Sequence, residues 1–297
     1  MWFSFWLRNV SRRTSTSPRQ RDRFRPRLEA LEERMLPSGG GGLPEMHPHH
    51  HHHGDSHSGG AGLPYATAAN VPQLIADINY ANKAGGNITM NLKPNTTFDL
   101  NQINNATNGY YNANALPIIG GKKAVDLTIL GNGDTIEWAG GSTYPSVQVR
   151  LLEIAPLGSL TLDDVTLQNG SSPAGGAIYN QGTLKVIDHS ILSGNSASEG
   201  GGIYNAGGTV TVSNSTLSGN TAPVAPIGYP DPDFGGAVYN SGGTVVISHS
   251  TLSDNSAGAG GGIYNSTGTL TVNNSVFINN SPDNIEGTYS GGGNTGL

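Results

Sequence analysis

The chain has 297 residues, 15 basic and 21 acidic side chains for a net charge of −6, 44 glycines, no cysteine and 35% hydrophobic residues. Without cysteine there is neither a disulfide framework nor a thiolate metal site, and no run reaches the ~20 apolar residues of a membrane-spanning helix. So few charges beside so much glycine suit short strands joined by many tight turns.

Charge is distributed unevenly. Residues 1–38 hold nine arginines against Asp22, Glu29, Glu32 and Glu33, which leaves the rest of the chain at −11. The acidic body would repel a polyanion, and Phe24 is the single aromatic among the Ser/Pro/Arg-rich residues 11–27, so no nucleic-acid partner is expected. The opening MWFSFWLRNV is too short before Arg8 for a standard signal core, and Arg12-Arg13 have no hydrophobic run behind them. In RPRLEALEERMLPSG, Leu28, Leu31 and Met35 share one side of a short helix near residues 26–36, ended by Pro37 and Gly39. This stretch resembles the short Leu/Glu/Arg sorting segment that precedes large exported or surface proteins of some bacteria, departing from it at Glu33. The resemblance implies an extracellular or cell-surface location; the plainer reading is a helical linker. The low-complexity stretch that follows contains His49, His50, His51, His52 and His53, which bind metal adventitiously without the fixed geometry of an enzymatic site. Residues 1–62 are therefore expected to be a disordered basic and His-rich tail, and residues 63–297 one all-β domain.

That domain opens with a helix. Asn70 is its N-cap, Pro72 lies in the first turn, Leu74, Ile75 and Ile78 form an apolar stripe, and Gly85-Gly86 stop it. Short strand-like runs follow at 88–92, 127–130, 135–138, 147–154 and 160–167, separated by Gly/Asn/Asp/Pro turns.

The chain then repeats. GGAIYN ending at Asn180 returns in related form at Asn205, Asn240 and Asn265, at spacings of 25, 35 and 25. A second string closes at Asn195, Asn220, Asn255 and, diverged, Asn280. Neither leucine-rich nor helical-repeat spacing is present, whereas Val210/Val212, Val245/Ile247 and Leu270/Val272 alternate with the period of two that strands require. Units of three short strands with glycine corners predict a solenoid of parallel strands whose equivalent residues form ladders about 4.8 Å apart. Ile178, Ile203, Val238 and Ile263 would make one apolar ladder, and Leu192, Leu217, Leu252 and Phe277 another. The two asparagine series would pass amide hydrogen bonds along the stack. At Val186-Ile187 two adjacent apolar residues leave the register open.

The GG(A/G)(I/V)YN and (N/H)-S-x-L-S-(G/D)-N strings, LIADINYAN, LTILGNGDTI and LLEIAPLGSLTLDDVTLQNG resemble right-handed parallel β-helix repeat proteins: the polymorphic outer-membrane-protein type repeats of bacterial surface proteins and, more distantly, the pectate-lyase-like superfamily. The resemblance covers residues 64–297. It implies a right-handed parallel β-helix with an N-terminal capping helix, and export, and leaves function open between polysaccharide cleavage, adhesion and passive scaffolding.

Candidate chemistry divides accordingly. Asp163 and Asp164 are consecutive strand residues expected to face opposite ways, and Asp188 lies near the rung position of Asp164; solvated or turn-capping aspartates are the plainer reading. Arg150 would be the proton-accepting base of a calcium-dependent lyase, yet no matched acidic cluster accompanies it, so calcium belongs to that alternative alone and no other cofactor is expected. His189 and His249 alternate with Asn214 and Asn274 as an exterior hydrogen-bonding row. Tyr179, Tyr204, Tyr239 and Tyr264 are expected to point outward as a stacked stripe, serving either the coil's stability or glycan contact. The ten extra residues of the 35-residue spacing fall at 222–234, where Tyr229, Asp231 and Asp233 would overhang the stripe. The expected function is a noncatalytic exported or cell-surface β-helix contacting polysaccharide or the cell envelope, with a polysaccharide lyase or glycoside hydrolase as the alternative. Beyond Phe277 no second capping helix is expected, which would leave an open strand edge for self-association.

Overall fold

A computed structural model describes residues 63–106, 113–140, 148–223 and 233–297. The arginine-rich tail, the His49–His53 tract, Tyr229 and Asp231 lie outside the described residues. Helix α1 spans Val71–Ala84, with the Asn70 side chain accepting from the Gln73 amide at 3.1 Å and Gly85 closing it at φ 72°. Leu74, Ile78 and Ala81 are fully buried, while Ile75 is only partly covered, so the apolar stripe runs one residue to the side of the expected one.

Beyond α1, parallel strands stack in register. Ile178–Asn180 lies on Ile203–Asn205 with Tyr179 over Tyr204, and the same alignment continues to Val238–Ser248 and Ile263–Asn273. Within Val125–Trp138, Gly158–Gln168 and the units after them, residues alternate between interior and exterior. The interior ones, Leu160, Leu184, Val210, Val245 and Leu270 on one wall and Leu167, Leu192, Leu217, Leu252 and Phe277 on another, are at most 3% exposed. A core built from ladders makes each rung the packing partner of the next. Ile203→Ala is therefore expected to lower stability by about 2–4 kcal/mol through lost transfer energy and a cavity its fixed neighbours cannot fill, measurable by chemical denaturation.

The corners need glycine for two separate reasons. Gly200 adopts φ +65°, a left-handed conformation side chains resist, whereas a Cβ on Gly201 would stand 2.5 Å from the Gly236 carbonyl oxygen of the next rung.

Vertical stacking does not always follow a spacing of 25. Leu184 pairs with Val210, 26 positions on, although Ile178 pairs with Ile203 and Leu192 with Leu217 at 25. One corner has an additional residue after Asn205, and the other has its counterpart at Asp188-His189, both left-handed at φ 45° and 67°. The ambiguity at Val186-Ile187 resolves the same way: Val186 is buried beside Val212 and Ile187 faces outward.

Two asparagine ladders run inside the walls. Asn180, Asn205, Asn240 and Asn265 link side chain to side chain at 2.7–2.9 Å. In the second, each amide oxygen accepts both the backbone and the side-chain N–H of the asparagine one rung before, from Asn195 through Asn220 and Asn255 to Asn280. The edge expected after Phe277 is occupied. Ile285–Gly287 pairs with Ile263–Asn265, and Thr295 lies beside Val276 while its carbonyl accepts the Phe277 amide at 2.9 Å. The chain thus adds a last winding rich in glycine and polar residues, beneath which Phe277 is 3% exposed.

Candidate functional site: a tyrosine ladder beside the inserted loop

Tyr179, Tyr204, Tyr239 and Tyr264 follow the interior Ile/Val of the GG(A/G)(I/V)YN string, so the alternation of the strand turns them outward. Stacking in register places their rings 5.2, 5.0 and 5.5 Å apart, the first and last pairs within 11° of parallel. Such offset-stacked pairs add about 0.5–1.5 kcal/mol each beyond burial. The rings spend their faces on one another, which leaves edges and hydroxyls toward solvent. Burial pushes the Tyr179 and Tyr204 phenols up from their ordinary value, opposed by Arg150 at Tyr179 and by a hydrogen bond with Ser241 at Tyr204, while Glu153 and Glu199 raise Tyr179 further. Both hydroxyls therefore keep their protons at neutral pH and can donate.

Both ends and one side of the ladder are defined. Below it, the Arg150 guanidinium lies 4.8 Å from the Tyr179 ring centroid. Glu153 pairs with Tyr179, and Glu286 with Tyr264, so a carboxylate residue continues the column in each direction. Alongside runs a short row five residues upstream, in which Glu199 bridges to Phe234 and Phe234 to Ala259. Phe234 packs 4.3 Å from the Tyr264 ring and 6.0 Å from Tyr239, so Tyr239 is only 8% exposed while Tyr179 and Tyr204 remain half-buried. Phe234 is the first regular rung residue after the ten-residue insertion, in the column of Glu199 and Ala259. The returning end of the loop thus lands on the tyrosines, and Asp233, 8% exposed, anchors it through a carbonyl that accepts from Gly258 and Ala259 at 2.7 and 3.2 Å.

Arg150 is 2% exposed and every nitrogen of its guanidinium is engaged. Nε donates to the carbonyls of Ala174 and Gly175, Nη1 to Asn114 Oδ1 and Glu153 Oε2, and Nη2 to Ser172 Oγ and Ala174 O, at 2.8–3.2 Å. Burial pulls it down from its ordinary value and Glu153 opposes that, but these bonds all require donors. None of Asp163, Asp164 and Asp188 is among its partners. Those three gather on another wall. Asp164 is in a left-handed turn at φ 55°, so strand alternation does not separate it from Asp163 as expected, and burial together with Asp188 and Asp164 raises the Asp163 carboxyl. Asn214 donates to Asp188 at 3.4 Å, and His249 lies 3.4 Å from the Asn274 amide, both on the exterior. Among the described residues no three His, Asp or Glu side chains are arranged to hold a metal ion, and no described helix is long and apolar enough to cross a membrane.

Glu199, Phe234 and Glu153 are the members of this site that sequence reasoning did not assign. Glu199 and Phe234 occupy one column of the repeat, just before the paired glycines, and that column was their only signal.

A wound stack of parallel strands in register is a parallel β-helix. The family described as Right handed beta helix region matches residues 119–296, and the chain belongs to it. Neither the comparison with curated proteins nor that with solved structures yields a match.

Proposed function

We propose that this β-helix is a noncatalytic exported or cell-surface protein whose tyrosine ladder contacts glycan. The observation carrying this reading is the ladder itself: a row of phenol rings stacked at rung spacing, walled on one side by Phe234 at the foot of an inserted loop. Hydroxyls repeated at a fixed interval on a rigid wall suit a polymer of repeating hydroxyls better than a single small substrate. The sorting-like segment at 25–39 supports export. A second reading, a polysaccharide lyase or hydrolase, draws its support from Asp163, whose raised carboxyl neighbours Asp164 and Asp188.

Incubating the full chain with a polysaccharide panel, with and without calcium, separates the two. Retention of at least one glycan without release of reducing ends or unsaturated products is the expected result. Turnover that disappears in Asp163→Asn or Asp188→Asn would establish the enzyme instead. Arg150 variants are poor probes here, because losing that side chain is expected to destabilise its surroundings whatever the activity.

A further inference from the structure

We infer that the open Tyr179–Tyr204 half of the ladder is a binding site selective for uncharged, extended glycan chains over polyuronates; this rests on the glycan reading above and specifies its ligand. Three features of the surface carry it.

The first is where the ladder is accessible. Phe234 covers Tyr239 and crowds Tyr264, so the half-buried rings left for a ligand are Tyr179 and Tyr204, with Phe234 standing at the upper end of the open stretch. Tyr204 and Tyr179 offer their hydroxyls 25 residues apart in sequence but one rung apart in space. An extended β-linked chain repeats at nearly the rung interval of about 4.8 Å, so successive sugars can meet successive hydroxyls without strain.

Charge is the second. The stretch is bordered by Glu199 in the flanking row, whose charge acts on both Tyr179 and Tyr204. The third is the commitment of the cation beside the stack: among the described residues, Arg150 is the cation against the tyrosine rings, and it is 2% exposed, paired with Glu153 at 3.2 Å and covered by the Tyr179 ring. A uronate bound along Tyr179–Tyr204 would meet the Glu199 carboxylate and find that guanidinium already committed, and like-charge juxtaposition discriminates strongly between ligands. A neutral chain pays no such penalty.

The test is calorimetric titration of the full chain with a soluble neutral β-glucan and with polygalacturonate, at about 0.01 M and about 1 M salt, where the screening length falls from about 30 to about 3 Å. The neutral chain is expected to bind at both salt concentrations. Polygalacturonate is expected to bind at least about tenfold more weakly at low salt, with the gap closing at high salt and narrowing in Glu199→Gln. Tyr179→Phe keeps the stacked ring but removes the hydroxyl, and is expected to weaken the neutral ligand by about tenfold, one hydrogen bond's worth, with an unchanged melting temperature. Polyuronate binding as tight as the neutral chain at low salt, or a gap indifferent to both salt and Glu199→Gln, overturns the selectivity while glycan contact stands. Neutral binding that survives both Tyr179→Phe and Tyr204→Phe overturns the location. Failure of every polysaccharide in the panel to bind overturns this inference together with the glycan reading beneath it.

Discussion

Replacing Arg150 with alanine is expected to destabilise the coil by about 3–5 kcal/mol, the cost of breaking a buried ion pair by removing one partner. The side chain joins three segments far apart in sequence: Asn114 on one, Glu153 on its own, and Ser172, Ala174 and Gly175 on the next rung. Its loss strands the Glu153 carboxylate, 16% exposed, and removes donors from two carbonyls. Arg150→Lys is expected to recover little, since a point ammonium cannot reproduce a planar fork that bonds in several directions while lying against a tyrosine ring. Denaturant titration followed by circular dichroism measures both variants; a lysine variant within about 1 kcal/mol of the parent would show that the fork's geometry is not what holds these segments.

Asn220→Asp is expected to cost a comparable 3–5 kcal/mol or so at neutral pH, because it places an unpaired charge in a closed wall. Asn220 is fully buried and works in both directions. Its oxygen accepts from the backbone and side chain of Asn195, while its amide donates to Leu192 O at 2.9 Å and to Asn255 Oδ1 at 3.1 Å. A carboxylate keeps the first pair of bonds but turns the second into oxygen facing oxygen. Asn220→Ala loses all of them without adding charge and should fall between the aspartate variant and the parent. Asn280, partly exposed near the last winding, makes the milder control: water can replace what Asn280→Ala removes. Equal losses at Asn220 and Asn280 in thermal melts would argue that depth in the coil is not the determinant.

The columns of the repeat were readable because identical residue types returned at a fixed interval, and parallel stacking converts such recurrence directly into contact. Ile203 over Ile178 and Tyr204 over Tyr179 follow from the string alone. Neighbours across a corner do not. Nothing in the spacing of Phe234 announces that it packs on Tyr264, because the turn between a flanking row and its wall is set by backbone geometry that glycines allow and sequence period does not encode. Arg150 was misleading for a related reason. A lone arginine within a strand looks available for chemistry, and its acceptors at 114 and 174–175 have no motif linking them. The compensating residues around Asp188 and after Asn205 were hidden too, since two opposite shifts leave the overall period at 25.

The loop's two anchors have a further implication. Thr221 and Phe234 each pair with the rungs on both sides, so the register of the stack is the same before and after the extra residues. Lengthening a corner from two residues to twelve costs only about 1.5 kcal/mol of closure entropy, and neither neighbouring rung needs to move. The coil therefore acts as a rail on which any corner can carry a variable segment, and recognition can diversify at such insertions while the mechanical spine stays constant.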